Sequence, residues 1–270
     1  QEPIDDATLR PEDNLEEFQA VTDHDLDFWK SQLESLDYSG KAVIASFGGT
    51  ALGDIALVPG LQLKNPRGIR GVEEWYVSTV TREEFIRNLF DRQTDIALEN
   101  LKRIYGVIGD RIDAVFICGT DFGTQDSTFC SPETFSRVWM PYYRKVNDWI
   151  HDNTGWKTFK HSCGAIESFM ELFIESGFDI INPVQINASG MDPKMLKKKY
   201  GGRIVFWGGG VDTQKAFMFG TPSQVRDQVR QMCDIFNDGG GFVFNTVHNV
   251  QANVPFENVV AMLEALREIR

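Results

Sequence analysis

Apolar and polar positions follow two rhythms along this chain. From Lys41 onward, short apolar runs end abruptly in glycine or polar residues, and stretches with apolar residues three and four apart follow them. The runs Ala42–Phe47, Ala114–Gly119, Trp156–Lys160, Asp179–Asn182, Ile204–Trp207 and Phe242–Asn245 read as strands. They are short, apolar on both faces and rich in β-branched or aromatic residues, as buried parallel strands are. Helices are predicted between them. Thr81-Arg82-Glu83-Glu84 reads as a capping box opening a helix to about Gly106, with Phe85, Leu89, Ile96, Leu101 and Ile104 on its buried side. Ser131-Pro132 supplies an N-cap and a proline at N1 for a helix through Val138, Tyr142, Val146 and Ile150. A helix over 165–176 stops at Gly177, Pro193–Tyr200 is capped by Asp192, and Pro222–Asn237 is capped by Thr221 with Gln224 at N3. The last helix runs from about Pro255 to Ile269.

Strand-then-helix alternation without hairpin signals leaves a (β/α)8 barrel or a doubly wound sheet. No Gly-x-Gly-x-x-Gly follows an early strand, and Gly208–Gly210 lacks the lysine of a phosphate-binding loop. Polar or glycine-rich sequence follows nearly every strand, at Gly48-Gly49, Asp121, His161, Gln185, Gly208–Gly210 and His248. In a barrel all of these gather at one face, where such enzymes keep their sites. The expected fold is therefore an α/β TIM (β/α)8 barrel. Only six strands are convincing. Either two more hide in 1–40 and 72–80, or the first one or two strands are missing from this chain; a start at Gln1 rather than Met favours the second. Residues 1–40 read as an acidic helical leader with Phe18, Leu26, Trp29 and Leu33 at helical intervals, and 41–270 as the barrel, one domain overall. The Gly/Pro-punctuated stretch from Gly48 to Gly71 is long enough for a lid or binding loop, or for an ordered connection.

Composition narrows the function. The net charge of −12 argues against nucleic acid or an anionic membrane as a partner, since both call for clustered Lys and Arg. No apolar run approaches the roughly 18 residues that span a bilayer, and positions 1–20 lack the pattern of a secretory signal. The four cysteines, Cys118, Cys130, Cys163 and Cys233, follow no disulfide spacing, which suits reduced thiols in a cytoplasm.

With four His and four Cys in all, His161 and Cys163 stand one residue apart at the end of a strand. Such a pair fits a metal site, or a polar residue beside a buried thiol. His248, just after the last strand, would converge with them at a barrel mouth, and a His/Cys/His set has the borderline-soft character of an open zinc site. Asp121 and Asp126 flank the loop after the Ala114 strand as candidate acid/base groups, or as turn formers and caps. Asn182, Gln185 and Gln251 offer amides for a substrate, and Trp207 a pocket wall. His24 and His151 read as solvated bystanders.

The motifs GTDFGTQ (119–125), SPETF and MPYY (131–143), HSCG (161–164), NPVQ (182–185), WGGGVDTQ (207–214), FGTPSQVRDQV (219–229), and HNVQ with PFENVVAM (248–262) resemble the uroporphyrinogen decarboxylase superfamily. They resemble its corrinoid-linked methyltransferase branch more than the decarboxylases proper, from Ala42 to the C-terminus in the expected order. The resemblance implies a TIM barrel. In the methylcobalamin:coenzyme M type of relative, zinc held by His-x-Cys and a distant Cys binds a thiol, which accepts methyl from a cobalt corrinoid. It thus implies zinc at His161 and Cys163, with His248 where relatives carry the distant Cys. A His for Cys exchange removes a negative charge and makes the site a stronger Lewis acid, so acceptor and direction of transfer stay open. A separate corrinoid protein, a small-molecule thiol or methylated substrate, and a homodimer are implied as well. The alternatives are a metal-free tetrapyrrole decarboxylase, whose Arg-rich N-terminal segment residues 1–40 do not match, and a non-catalytic barrel that binds a corrinoid or a partner.

Overall fold

The apolar runs become parallel strands and the periodic stretches become helices, giving an α/β fold of the (β/α) barrel class with six strands among the described residues, where a complete barrel has eight. The computed structural model describes residues 4–15, 18–36 and 40–269. The chain divides into two compact units, the first comprising Gln1–Asp121, Cys130–Lys160 and Glu175–Phe178, the second Phe122–Phe129, His161–Ile174 and Asp179–Arg270.

In the first unit, β1 (Ile44–Ala45) pairs with β2 (Ala114–Cys118), which pairs with β3 (Lys157–His161); the last residue of β3, His161, belongs to the second unit. The β2–β3 register shifts between Phe116 and Cys118, and such an irregularity re-aims the residues that follow. Helices α1 (Asp23–Leu36), α2 (Val72–Thr81), α3 (Glu83–Ile108), α4 (Pro132–Val138) and α5 (Met140–Asn153) complete it. Stretch 72–80, one of the two places where a hidden strand was considered, is helix: Trp75, Tyr76 and Thr79 lie buried on one face of α2. Among the described residues of 1–40 no strand forms either. The expected capping box at Thr81 is not made. Thr81 closes α2 with its hydroxyl donating to the Val77 carbonyl at 3.0 Å, and α3 begins after Arg82, which makes no side-chain cap.

The single helix predicted after Ser131 is broken at Trp139, because Pro141 lacks an N–H and opens a new helix as one of its first residues. The leader packs onto this unit rather than standing apart. Val21 donates its amide to Asn100 Oδ1 at 2.8 Å, and Asn14 exchanges side-chain hydrogen bonds with both main-chain groups of Ile69. Residues 1–3, 16–17 and 37–39 of the leader lie outside the described residues. Trp75, Phe90, Phe135, Trp139, Tyr142 and Tyr143 form an aromatic core with ring centres 5.5 to 6.5 Å apart. Fully buried rings of this size stabilise a fold by about 1.5–3 kcal/mol each.

In the second unit β4 (Ile180–Asn182) pairs with β5 (Val205–Trp207), and β5 with β6 (Phe242–Val243). The helix predicted over 165–176 starts as a 3-10 turn, Glu167–Phe169, and becomes α6 (Met170–Glu175). Helices α7 (Pro193–Tyr200), α8 (Ala216–Phe219), α9 (Pro222–Phe236) and α10 (Phe256–Ile269) follow. Asp192 caps α7 and Thr221 with Gln224 forms the full capping box of α9, as read from the sequence. Val211, Phe217, Val225, Val229, Cys233, Ala261 and Ala265 make the core between α8, α9 and α10. Among the described residues no helix is long and apolar enough to cross a membrane.

Candidate metal centre

Strand β3 delivers His161 to the start of the turn Ser162-Cys163-Gly164. The His161 Nε2 atom lies 3.4 Å from Cys163 Sγ, and both residues are half-buried. On the other side of the ring, Nδ1 meets Asn182 Oδ1 at 2.7 Å, at the end of β4. The Asn182 amide is itself oriented, because its Nδ2 donates to the Trp207 carbonyl at 3.0 Å at the end of β5. An amide oxygen only accepts, so the proton of the neutral imidazole sits on Nδ1 and the lone pair of Nε2 is presented to Cys163. That is the tautomer a metal-binding imidazole needs.

Glycine makes the turn possible. Gly164 has φ +90°, and a Cβ there would fall 2.3 Å from the carbonyl carbon of Gly123; a Cβ on Gly123 would fall 2.6 Å from the Ala165 nitrogen. The 122–129 loop lies directly against the turn, with Ala165 donating its amide to the Thr124 carbonyl at 2.8 Å and Phe122 donating its amide to Ser162 Oγ at 2.9 Å. Beside this contact runs a chain of amides. The Gly164 amide donates to Gln185 Oε1 (2.8 Å), Gln185 Nε2 to Gln125 Oε1 (3.0 Å), Gln125 Nε2 to the Asn187 carbonyl (2.6 Å), and Asn187 Nδ2 to Asp212 Oδ1 (2.9 Å).

The expected site residues are thus only partly brought together. His161, Cys163, Asn182, Gln185 and the Trp207 carbonyl share one neighbourhood, but the Asn182 and Gln185 amides are engaged by the protein at both ends. Asp126 is exposed on its loop and accepts from the Ser189 hydroxyl at 3.2 Å. His248 is not brought to the pair: its ring is exposed, 3.4 Å from both the Asn249 carbonyl and Gln251 Nε2, and Gln251 is exposed beside it. The Thr246 hydroxyl donates to the His248 carbonyl, so the segment after β6 turns on itself instead of extending. Asp121 belongs to the first unit, where its carbonyl accepts from the Tyr76 hydroxyl. Burial first, then the nearby Cys130, Asp121 and Asp54, raises the Tyr76 phenol well above its ordinary range. Burial likewise pushes the Cys130 thiol up to about 12, which leaves it a poor metal ligand near neutral pH.

Sequence reasoning missed Lys160 and Ser162, both fully buried polar neighbours of His161. The available signal was a lysine inside an otherwise apolar strand. The Gly123–Gly164 approach also went unread, because nothing in the two glycines pairs them.

A family model described as Uroporphyrinogen decarboxylase (URO-D) matches residues 64–269. The chain belongs to this family. Among curated members, the uroporphyrinogen decarboxylase of Psychromonas ingrahamii is 29% identical over 79 residues, which cover 29% of this chain and 22% of that protein. That of Legionella pneumophila strain Lens is 32% identical over 78 residues, covering 29% of this chain and 21% of the relative. Among solved structures, a methyltransferase from Methanosarcina mazei superposes with a TM-score of 0.62 at 15% identity, covering 91% of this chain and 64% of that one. At such identity the likeness shows the fold. The chain therefore matches about a fifth of its curated relatives' length and less than two thirds of the structural neighbour's.

Proposed function

We propose that this member of the family is a zinc-dependent methyltransferase, moving methyl between a corrinoid carried by a partner protein and a small-molecule thiol or methylated substrate. One observation carries the reading: an imidazole whose Nδ1 is engaged by Asn182 turns its Nε2 lone pair to a thiol 3.4 Å away. Zinc with bonds of about 2.0–2.1 Å to nitrogen and about 2.3 Å to sulfur sets a tetrahedral N···S edge of about 3.5 Å. The pair fits that edge before any rearrangement.

When bound, zinc supplies a Lewis acid that lowers the proton affinity of a thiol or polarises a methyl-bearing heteroatom. The chain's own residues do the rest. Asn182 keeps His161 in its ligating tautomer, Cys163 gives up its thiol proton on binding, and Gln185 holds the Gly164 amide and with it the turn. Asp126, exposed on the loop that packs on the turn, is the proposed proton carrier, and Trp207 and Gln251 are proposed to meet the substrate. The names of the structural neighbour and of the family's corrinoid-linked branch favour this reading; the curated relatives' names favour tetrapyrrole decarboxylation as the second.

Metal analysis of the purified chain tests the proposal. About one zinc per chain is expected, lost in His161→Ala and in Cys163→Ser, with methylcobalamin consumed in the presence of a small thiol. A His248→Ala variant that loses its zinc supports His248 as the third ligand, and one that keeps it removes His248 from that role. Metal-free protein that turns over uroporphyrinogen overturns the methyltransferase reading in favour of the second.

A further inference from the structure

Among the described residues of the second unit, Asn187 Oδ1 is the one buried side-chain oxygen that no protein donor reaches. Which way its amide faces is settled by its partners. The Nδ2 group donates to Asp212 Oδ1 at 2.9 Å and to Gln214 Oε1 at 3.1 Å. A carboxylate only accepts, so nitrogen and oxygen cannot exchange places there. Asp212 is itself fixed: it is 5% exposed, and the same Oδ1 accepts the main-chain amides of Gln214 at 2.7 Å and Lys215 at 3.2 Å. The other arm of the Asn187 amide is thus held as an acceptor with nothing from the protein to accept.

A buried acceptor left unpaired destabilises a fold, and native structures keep few of them. Its position suggests a use. Asn187 follows β4 and Asp212 follows β5, at the strand ends where (β/α) folds keep their sites. Strand β4 ends in Asn182, which orients His161, and β5 ends in Trp207, whose carbonyl orients Asn182. The Asn187 carbonyl accepts from Gln125, which is joined through Gln185 to the Gly164 amide beside Cys163. The side chains gathered around Asn187 are therefore amides and one carboxylate, and every hydrogen bond among them is made without a lysine or arginine side chain. Gln125 and Gln214 are exposed, and the hydrogen bond between them is 3.5 Å long, so a ligand separates them easily.

We propose that Asn187 is a specificity-determining residue whose Oδ1 accepts an N–H or O–H donor from the end of the substrate remote from the zinc. The substrate class this names is a small thiol, or its methylated form, that carries a hydroxyl or ammonium tail. An anionic tail is selected against, because it would meet an amide oxygen and the Asp212 carboxylate with no cation to pair it. The inference rests on the zinc reading above.

The experiment is isothermal titration calorimetry of the zinc-loaded chain with short alkanethiols of increasing length. Each thiol with a terminal hydroxyl or amine is paired with the methyl-ended thiol of the same heavy-atom count. At one chain length the hydroxyl or the amine thiol should bind about tenfold more tightly than its methyl-ended twin. In Asn187→Ala that preference should fall below about twofold, and differences in thiol acidity cancel between the two proteins. A preference absent at every length, or one that survives Asn187→Ala unchanged, overturns the inference. Circular dichroism checks folding, and if Asn187→Ala does not fold, wild type decides. The sulfonate-tailed thiol of the preferred length should then bind it about tenfold more weakly than the hydroxyl thiol, and equal or tighter binding overturns the inference. A wild-type chain that takes up no zinc overturns the zinc reading and this inference with it; zinc uptake without a donor preference overturns the inference only.

Discussion

His161 is a ligand candidate because of what lies behind it. An imidazole beside a thiol is chemically ambiguous, since either nitrogen could carry the proton. The Asn182 oxygen at 2.7 Å removes the ambiguity, and the Trp207 carbonyl removes the option of flipping that amide. Asn182→Ala should therefore lower zinc affinity by about 10- to 100-fold while leaving both ligands in place. Asn182→Asp, which keeps the acceptor for Nδ1 but loses the donor to the Trp207 carbonyl, should restore part of it. Chelator competition on the two variants measures this, and equal losses would show that the residue acts by packing instead.

Two elements meet at the Gly123–Gly164 contact, and neither would be recognised alone. The 122–129 loop reaches the turn after β3 only because both chains lack a side chain at the crossing. Gly164→Ala places a Cβ 2.3 Å from backbone and asks alanine to adopt φ +90°. The expected loss is ~3 kcal/mol or more of unfolding free energy, seen as a lower urea midpoint at unchanged slope. A midpoint shift worth less than about 1 kcal/mol would mean that the loop moves aside freely. The same scale settles one open alternative and one error of reading. Stretch 72–80, an alternative place for a hidden strand, is helix α2 with Trp75, Tyr76 and Thr79 buried on one face. Thr81 looked like a cap because the residues after it suit one, but its hydroxyl was already committed to the Val77 carbonyl. Where the whole neighbourhood agreed, as at Asp192 and at Thr221 with Gln224, the caps formed as expected.

Across the whole molecule the surplus of acid groups is partly organised into ion pairs in each unit. In the first, hydrogen bonds from Arg137 and then Arg87 hold the Glu83 carboxyl below its ordinary range. In the second, Lys199 and then Tyr200 do the same for Glu167. A carboxyl with a depressed folded-state pKa adds stability that is present above its unfolded value, about 4.3, and is lost as pH falls through the depressed value. Both pairs have partly exposed partners, so each contributes about 1 kcal/mol or less. Urea midpoints should thus owe these pairs nothing new between pH 8 and 6, then fall below about pH 4.5, and Glu167→Gln should make that fall shallower. An unchanged acid limb in the variant would remove Glu167 from the account.

Local sequence determined the rhythm of strands and helices, the barrel class, and the His161–Cys163 pair, because spacing, turn residues and one short motif carry those facts within a few positions. Family membership followed from the same motifs taken in order. Only the tertiary structure decided that His248 lies exposed after β6, that Asn182 serves the histidine, that Lys160 spends its ammonium on the Thr120 carbonyl and that Ser162 accepts the Phe122 amide. The reason is physical. These are contacts between residues from 21 to 40 positions apart, made by groups that any polar residue could offer. Which partner each one finds is fixed by packing, not by its identity.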